Sequence, residues 1–144
     1  MKSDVPNQLV VINNHQDSIP IDLDVASYVR AICSHLSIQF ELIEITMLPK
    51  DSMAKMNNDY FKQSIPTDTI SFNLTPEAAI TGDVYICPEV IKENSTTYSL
   101  SFDQELKTVL IHSILHLLGH HDDTDEHYLK MKELQETIYH QLNT

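Results

Sequence analysis

The chain has 144 residues and a formal net charge of −12 at pH 7. This length fits one domain, residues 1–144, that can bury a core of its own. The negative charge argues against a protein that wraps nucleic acid through bulk electrostatics, because phosphate binding needs lysine and arginine. No apolar run approaches the roughly 18 residues of a membrane span, and no cleavable leader is recognisable. The sequence therefore predicts a cytoplasmic protein with no membrane partner.

Hydrophobic periodicity and capping residues predict strands and helices that alternate along the chain. In chain order these are a strand at 7–13, a helix from Asp22 or Asp24 to about Leu36, a strand at 37–48, a helix from Pro49 to about Tyr60, strands at 69–74 and 79–87, a helix opening at Pro88, a helix from Ser101 to Gly119, and a helix from Asp123 to about Leu142. The strands at 69–74 and 79–87 are expected to form a hairpin-like pair. The pattern predicts an α+β fold, a small mixed sheet of about four strands covered by helices.

Histidines concentrate in the last third of the chain, and two of them have the spacing of metal ligands. His112 and His116 are four residues apart on the predicted apolar helix, so their rings lie on one face and can meet a single ion. Two buried imidazoles without partners would be unfavourable on such a helix. Gly119 follows where the helix should end in a left-handed turn. The pattern therefore predicts a metal site on a central helix and the turn after it.

The third ligand is predicted to come from the segment that returns after Gly119. Asp122 is the preferred residue and His121 competes with it. Three protein ligands leave an open position for water, which is typical of a catalytic ion. His112, His116 and Asp122 are thus also the predicted catalytic residues, acting through that water, with His121 as a further candidate. The donor set suits one divalent ion, foremost Zn²⁺, with Ni²⁺ or another ion as alternatives.

Other polar groups near the predicted site are candidates for supporting roles. His120, His121 and Asp123 are candidates for supporting the ligands or moving a proton. His127 and His140 are interpreted as surface residues of the last helix. Cys33 and Cys87 form no CxxC pattern and are interpreted as reduced core residues.

Two known families have a similar arrangement of histidines and glycine. In metzincin metalloproteases a glutamate follows the first histidine as general base, whereas this chain has Ser113 there. The chain more closely resembles the YbeY family of endoribonucleases, through His112, Leu115, His116, Leu117 and Gly119. The stretches PTDTISF (66–72) and GDVYI (82–86) also resemble that family's segments, so that the likeness spans roughly residues 45–135.

The resemblance has departures at the site itself. Ser113, His120 and the order His121-Asp122 differ from the family's usual pattern, and its third ligand aligns with Asp122. The family typically has an arginine that helps to engage RNA at the position of Phe61. Phe61 is interpreted here as a core residue that ends a helix. Lys62 is a possible substitute, although a lysine binds phosphate less well in a bidentate role.

The resemblance implies a mixed four-stranded α+β fold and a single-strand-specific, metal-dependent endoribonuclease. Such an enzyme would mature the 3′ end of the small-subunit (16S) ribosomal RNA and act in ribosome biogenesis and quality control. Its partners would be RNA, the small ribosomal subunit and assembly factors, and no nucleotide cofactor is expected. The segment from Thr67 to Phe72 is expected to build the groove wall, with Thr67 and Ser71 offering hydroxyls.

Two alternative functions remain open from the sequence. One is a metzincin-like zinc metallopeptidase or another metal-dependent hydrolase. The other is a ribosome-assembly factor that does not cleave RNA and whose metal is structural, which the acidic charge and the missing arginine favour.

Overall fold

The computed structural model describes residues 6–144. Within this range, strands and helices follow one another as β1 (Leu9–Asn14), α1 (Val25–His35), β2 (Phe40–Met47), α2 (Lys50–Phe61), β3 (Thr69–Asn73), β4 (Ile80–Ile86), α3 (Pro88–Thr97), α4 (Phe102–Leu117) and α5 (Asp125–Leu142). The predicted order of elements is confirmed. The strand predicted from residue 37 begins only at Phe40, because Ser37 has a left-handed φ of 55° that an extended strand does not accommodate.

The four strands form one mixed sheet in the order β1-β2-β4-β3. β1 pairs with β2 and β2 with β4 in parallel, whereas β3 and β4 pair antiparallel, as expected of a hairpin-like pair. The α+β class with a mixed four-stranded sheet is therefore confirmed. β3 is an edge strand, so the segments around it lie at the rim of the sheet.

Helices cover both faces of the sheet. On one face, buried residues of α1, α4 and α5 form the main core with apolar residues of β1, β2 and β4. A smaller cluster on β3, α2 and the end of β4 is built around Met53, Ile70 and Cys87. Cys33 and Cys87 are buried free thiols, as predicted. None of the helices in the described part of the chain combines the length and apolar character that crossing a membrane requires.

Helix α4 has well-defined signals at both ends. At its start, the Ser101 hydroxyl accepts from the Gln104 backbone N–H, and the Gln104 side chain accepts from the Ser101 backbone N–H. At its end, the N–H groups of Gly119 and His120 donate to the carbonyls of His116 and Leu115, which is the Schellman arrangement. Gly119 has a φ of 92°, so the predicted left-handed turn is confirmed.

Polar contacts and one close approach fix α4 against the edge of the sheet. The Thr69 hydroxyl lies 2.7 Å from the Ser113 hydroxyl, and the Asn73 amide donates to the Leu117 carbonyl at 2.9 Å. A Cβ on Gly82 would lie 2.6 Å from Leu117 Cδ1, so the glycine allows β4 and α4 to pack closely. The face of α4 that carries the histidines is thereby held beside β3.

Candidate metal centre

Three side chains from the end of α4 and the following turn converge on one point. The Nε2 atoms of His112 and His116 are 2.9 Å apart. Asp122 Oδ2 lies 3.5 Å from His112 Nε2 and 3.7 Å from His116 Nε2. In residues 6–144, these three form the only group of histidine, cysteine or acidic residues whose donor atoms all lie within 4.8 Å of one another. The turn at Gly119 makes this possible, because it reverses the chain and returns Asp122 to the histidines.

The separations of the three donor atoms fit a small divalent cation. A point equidistant from three atoms so arranged lies about 2.0 Å from each, which is the usual length of Zn–N and Zn–O bonds. The side chain of Asp122 is 40 % exposed, so the group has an open side. The residues could therefore hold a metal ion with one coordination position free for another ligand.

Two features of the surroundings prepare the histidines to bind a cation. The Nδ1–H of His112 donates to Oε1 of Gln135 on α5, which leaves Nε2 as the nitrogen with a free lone pair. Burial, and then the neighbouring His112, lower the pKa of His116 below its ordinary 6.5, although the Asp122 carboxylate acts in the opposite direction. His116 is therefore neutral near pH 7, which is the form that binds a metal.

The three residues lie in a cleft of about 480 Å³ between α4, the end of α2 and the segment that leads into β3. Residues 67–71 line the cleft, so most of the segment predicted as its wall does form one, whereas Phe72 lies outside the lining and packs against Tyr60. The Ser71 hydroxyl oxygen is buried and has no hydrogen-bond partner in residues 6–144. The expectation that Ser71 offers its hydroxyl to the cleft is therefore wrong, and the cleft combines the candidate metal ligands with the side chains of Thr67 and Asp68.

The structure leaves His121 outside the group of three. His120 and His121 line a different cavity, of about 490 Å³, against α5. His127 also lines that cavity, and its Nδ1 lies 2.9 Å from Oδ1 of Asp123; this hydrogen bond holds the pKa of the Asp123 carboxyl below its usual value. His127 and His140 are exposed, as predicted. The metal-binding and catalytic roles of His112, His116, Asp122 and His121 stay predictions.

Another prediction near the site was wrong, and two residues of interest received no role from the sequence. Phe61 does end α2, but it is 51 % exposed at the cleft and is not a core residue, because the chain turns away immediately after it. Asp68 lies within the 67–72 segment that was expected to build the groove wall, but only the hydroxyls of Thr67 and Ser71 were given a role there. Gln135 is 23 positions from His112 along the chain, so no local spacing could reveal their contact.

Comparison with known proteins gives a consistent family match. The family model described as Endoribonuclease YbeY matches residues 11–143. The Endoribonuclease YbeY of Thermotoga neapolitana is 39 % identical over 92 residues, which are 63 % of this chain and 60 % of that protein. That of Amoebophilus asiaticus is 30 % identical over 131 residues, 89 % of this chain and 87 % of the relative.

The first of these matches is local and the second is nearly complete. The chain spans about 60 % of the length of the Thermotoga neapolitana relative, and 59 % of the Chlorobium phaeobacteroides one. A solution structure of a Thermotoga maritima protein superposes with a TM-score of 0.61, covering 94 % of this chain and 92 % of that one at 23 % identity. That structural similarity shows the same fold.

Proposed function

The chain belongs to the YbeY family of endoribonucleases, and from this premise we propose that it is a single-strand-specific endoribonuclease that depends on one divalent metal ion. The observation that carries the proposal is the convergence of His112, His116 and Asp122 within a cleft open to solvent. Three ligands with an open side are typical of a catalytic site, because a structural site is normally closed by a fourth protein ligand.

The side chains at the cleft have different roles in the proposed reaction. His112, His116 and Asp122 would hold the ion, with Gln135 fixing the ring of His112. A bound divalent ion supplies Lewis acidity, which neutralises charge on a phosphate oxygen and activates a water molecule. Ser113 takes no part in this chemistry, since it is fully buried and its hydroxyl donates to the Val109 carbonyl.

The buried position of Ser113 also bears on the peptidase alternative. In metzincin-like peptidases the residue after the first histidine is the glutamate base, which must reach the substrate. In this chain the corresponding side chain points into the contact between α4 and β3, where it meets Thr69. The cleft offers no carboxylate from that position, and this favours RNA over peptides as the substrate.

Further properties follow from family membership and form part of the proposal. The preferred ion is Zn²⁺, with Ni²⁺ or another divalent ion as an alternative. The substrate is ribosomal RNA at the 3′ end of the small-subunit (16S) RNA, and the partners are the small ribosomal subunit and its assembly factors. The protein would act in the cytoplasm, in ribosome biogenesis and quality control. Residues 1–144 would form a single catalytic domain.

The proposal is tested by measuring metal content and RNA cleavage on the same preparations. The untagged chain is compared with His116→Ala and Asp122→Ala, and with His127→Ala as a control that removes an exposed histidine outside the group. Substrates are a single-stranded oligoribonucleotide from the 3′ end of the small-subunit RNA, the same strand in a duplex, and casein. Thermal unfolding of each variant separates loss of the site from loss of the fold.

We expect one equivalent of zinc and cleavage of the single strand for the untagged chain and for His127→Ala. Both properties should be lost in His116→Ala and Asp122→Ala, while the folded structure is retained. Zinc binding without RNA cleavage, with unfolding on chelation, would instead identify a structural metal in an assembly factor. Cleavage of casein in place of RNA would contradict the proposal and support the peptidase.

A further inference from the structure

One exposed aromatic side chain, Phe61, lines the cleft that contains the candidate metal ligands, and a second, Tyr60, lies beside it. Tyr60 is 63 % exposed and Phe61 is 51 % exposed, although both are large residues that proteins usually bury. Phe61 lines the same cleft as His112, His116 and Asp122. A molecule that occupies the cleft would therefore lie against an aromatic ring next to the candidate metal centre.

Each of these rings has an aromatic neighbour within the protein. The ring centroids of Tyr60 and Phe72 are 5.2 Å apart at an interplanar angle of 54°, and those of Tyr60 and Phe61 are 6.5 Å apart at 50°. Lys62 ends α2 directly after Phe61, in the left-handed conformation with a φ of 58°. The two rings thus stand at a helix end, with Tyr60 packed on a β3 side chain and Phe61 beside Tyr60.

The loop opposite Phe61 is held in place. Asn57 is only 6 % exposed, and its side-chain amide donates to the Ile65 carbonyl at 2.9 Å. Ile65 lines the cleft together with Phe61, and is itself 64 % exposed. Two apolar side chains therefore flank the entrance to the cleft.

The charge around the cleft favours contact of these apolar side chains with the bases of an RNA over contact with its phosphates. Among the described residues that line the cleft are the carboxylates of Asp68 and Asp122, and neither lysine nor arginine. With a net charge of −12, the chain offers phosphates little attraction apart from a bound cation. The flat faces of nucleobases carry no charge and stack well on aromatic rings, but they are accessible only in unpaired RNA.

We propose that Phe61, supported by Tyr60, is a stacking platform for an unpaired base of a single-stranded RNA next to the phosphate that enters the cleft. The inference rests on the proposed endoribonuclease function and adds a physical basis for single-strand specificity. A duplex keeps its base faces covered by neighbouring base pairs, so it cannot use the platform. Stacking of one base on an aromatic side chain contributes roughly 5- to 150-fold to affinity.

The absence of tryptophan from the chain allows a direct optical test. Phe61→Trp keeps an aromatic ring and introduces a single tryptophan, whose fluorescence is quenched when a base stacks on it. Leu9→Trp is the matched control, since Leu9 is 52 % exposed on β1, at the opposite edge of the sheet from β3. The tryptophan fluorescence of each zinc-loaded variant is measured during titration with a ten-nucleotide single-stranded RNA and with the corresponding duplex. As a separate control, the fluorescence is measured without RNA at increasing protein concentrations.

A second variant tests whether the ring itself contributes to RNA binding. Phe61→Leu keeps an apolar side chain and removes the aromatic face, and Tyr98→Leu removes an aromatic ring that is 65 % exposed outside the cleft. For Phe61→Leu we expect the KM for single-stranded RNA to rise about 10-fold, with kcat, zinc content and the unfolding midpoint unchanged. Tyr98→Leu should behave as the parent chain.

The outcomes separate this inference from the function on which it rests. Quenching of Phe61→Trp by the single strand and not by the duplex, with no quenching of Leu9→Trp, would support the platform. If Phe61→Leu cleaves with an unchanged KM and Phe61→Trp is not quenched, the platform is overturned while the endoribonuclease function stands. Emission that changes with protein concentration alone would assign the aromatic pair to self-association and overturn the inference. If the zinc-loaded parent neither binds nor cleaves RNA, the proposed function fails as well.

Discussion

The hydrogen bond between His112 and Gln135 provides a sharp test of how the site binds a cation. Gln135 lies on α5, and its side-chain oxygen accepts from Nδ1–H of the His112 ring. Gln135→Leu removes the acceptor and keeps a side chain of similar size. Without the acceptor, the ring of His112 can rotate or carry its proton on Nε2, which is the nitrogen that faces Asp122. We therefore expect weaker zinc binding without loss of a ligand.

The structure indicates the size of this effect. Loss of a hydrogen-bond partner behind a metal-bound histidine typically weakens metal binding about 10- to 100-fold. Gln135 is a neutral acceptor and orients one of three candidate ligands, so we expect the lower end of this range, about 10-fold, or about 1.4 kcal/mol. Gln135→Glu should have the opposite effect, because a charged acceptor forms a stronger hydrogen bond and makes Nε2 a better donor to the ion.

Zinc affinity is measured by competition with a chromophoric chelator, and Gln141→Leu is the control. Gln141 lies on the same helix and forms a similar contact, with its Oε1 2.6 Å from Nε2 of His35, away from the cleft. Each variant loses one glutamine–histidine hydrogen bond, which is part-buried for Gln135 and exposed for Gln141, so Gln135→Leu should lose somewhat more stability. Only Gln135→Leu should lose zinc affinity. Equal zinc affinities for Gln135→Leu, Gln141→Leu and the parent chain would refute the reasoning.

Three further predictions concern stability, measured by urea unfolding of the zinc-free chain. Burial and then the charge of Asp68 raise the pKa of Glu105 above its ordinary 4.5, so the folded state binds this proton more tightly than the unfolded chain does. The free energy of unfolding should fall as pH rises from 4.5 through the raised pKa. Glu105→Gln should remove this loss and be more stable than the parent chain at pH 7. A Glu105→Gln variant with the same pH profile as the parent would contradict this. Ser101→Ala should lower the free energy of unfolding by about 1 kcal/mol through loss of the capping box, and a change near zero would show that the cap is not important. Ser71→Ala removes a buried hydroxyl without a partner in residues 6–144, so its free energy of unfolding should equal that of the parent or exceed it by up to about 1 kcal/mol. Ser113→Ala removes a hydrogen-bonded hydroxyl and should lower the free energy of unfolding by about 1 kcal/mol. A clear loss of stability in Ser71→Ala would mean that the Ser71 hydroxyl has a hydrogen-bond partner.

Much of the fold could be predicted because its signals are local. Period-two and helical spacing identified the strands and helices, and the capping box and Gly119 marked the ends of α4. The pairing of His112 with His116 follows from helical geometry alone. That Asp122 joins them depends on one turn, which a glycine with a left-handed conformation makes predictable.

The contacts between distant segments could not be predicted in this way. The cleft arises where α2, β3 and α4 meet, so the positions of Asp68 and Phe61 in it depend on the assembled sheet. Phe61 continues the apolar pattern of a helix, and its hydrophobicity alone suggested burial. Its exposure follows from the left-handed turn at Lys62, where neither glycine nor asparagine marks the position.

The Schellman turn after α4 links ion binding to the stability of the C-terminal helix. The candidate ligands lie on either side of Gly119, and Gln135 extends the same network to α5. A bound cation would therefore oppose local opening of the segment from Leu118 to α5, since opening would separate Asp122 from the histidines. We expect amide hydrogen exchange and proteolytic nicking in this segment to slow on zinc loading, while the β1–β2 ladder exchanges at an unchanged rate.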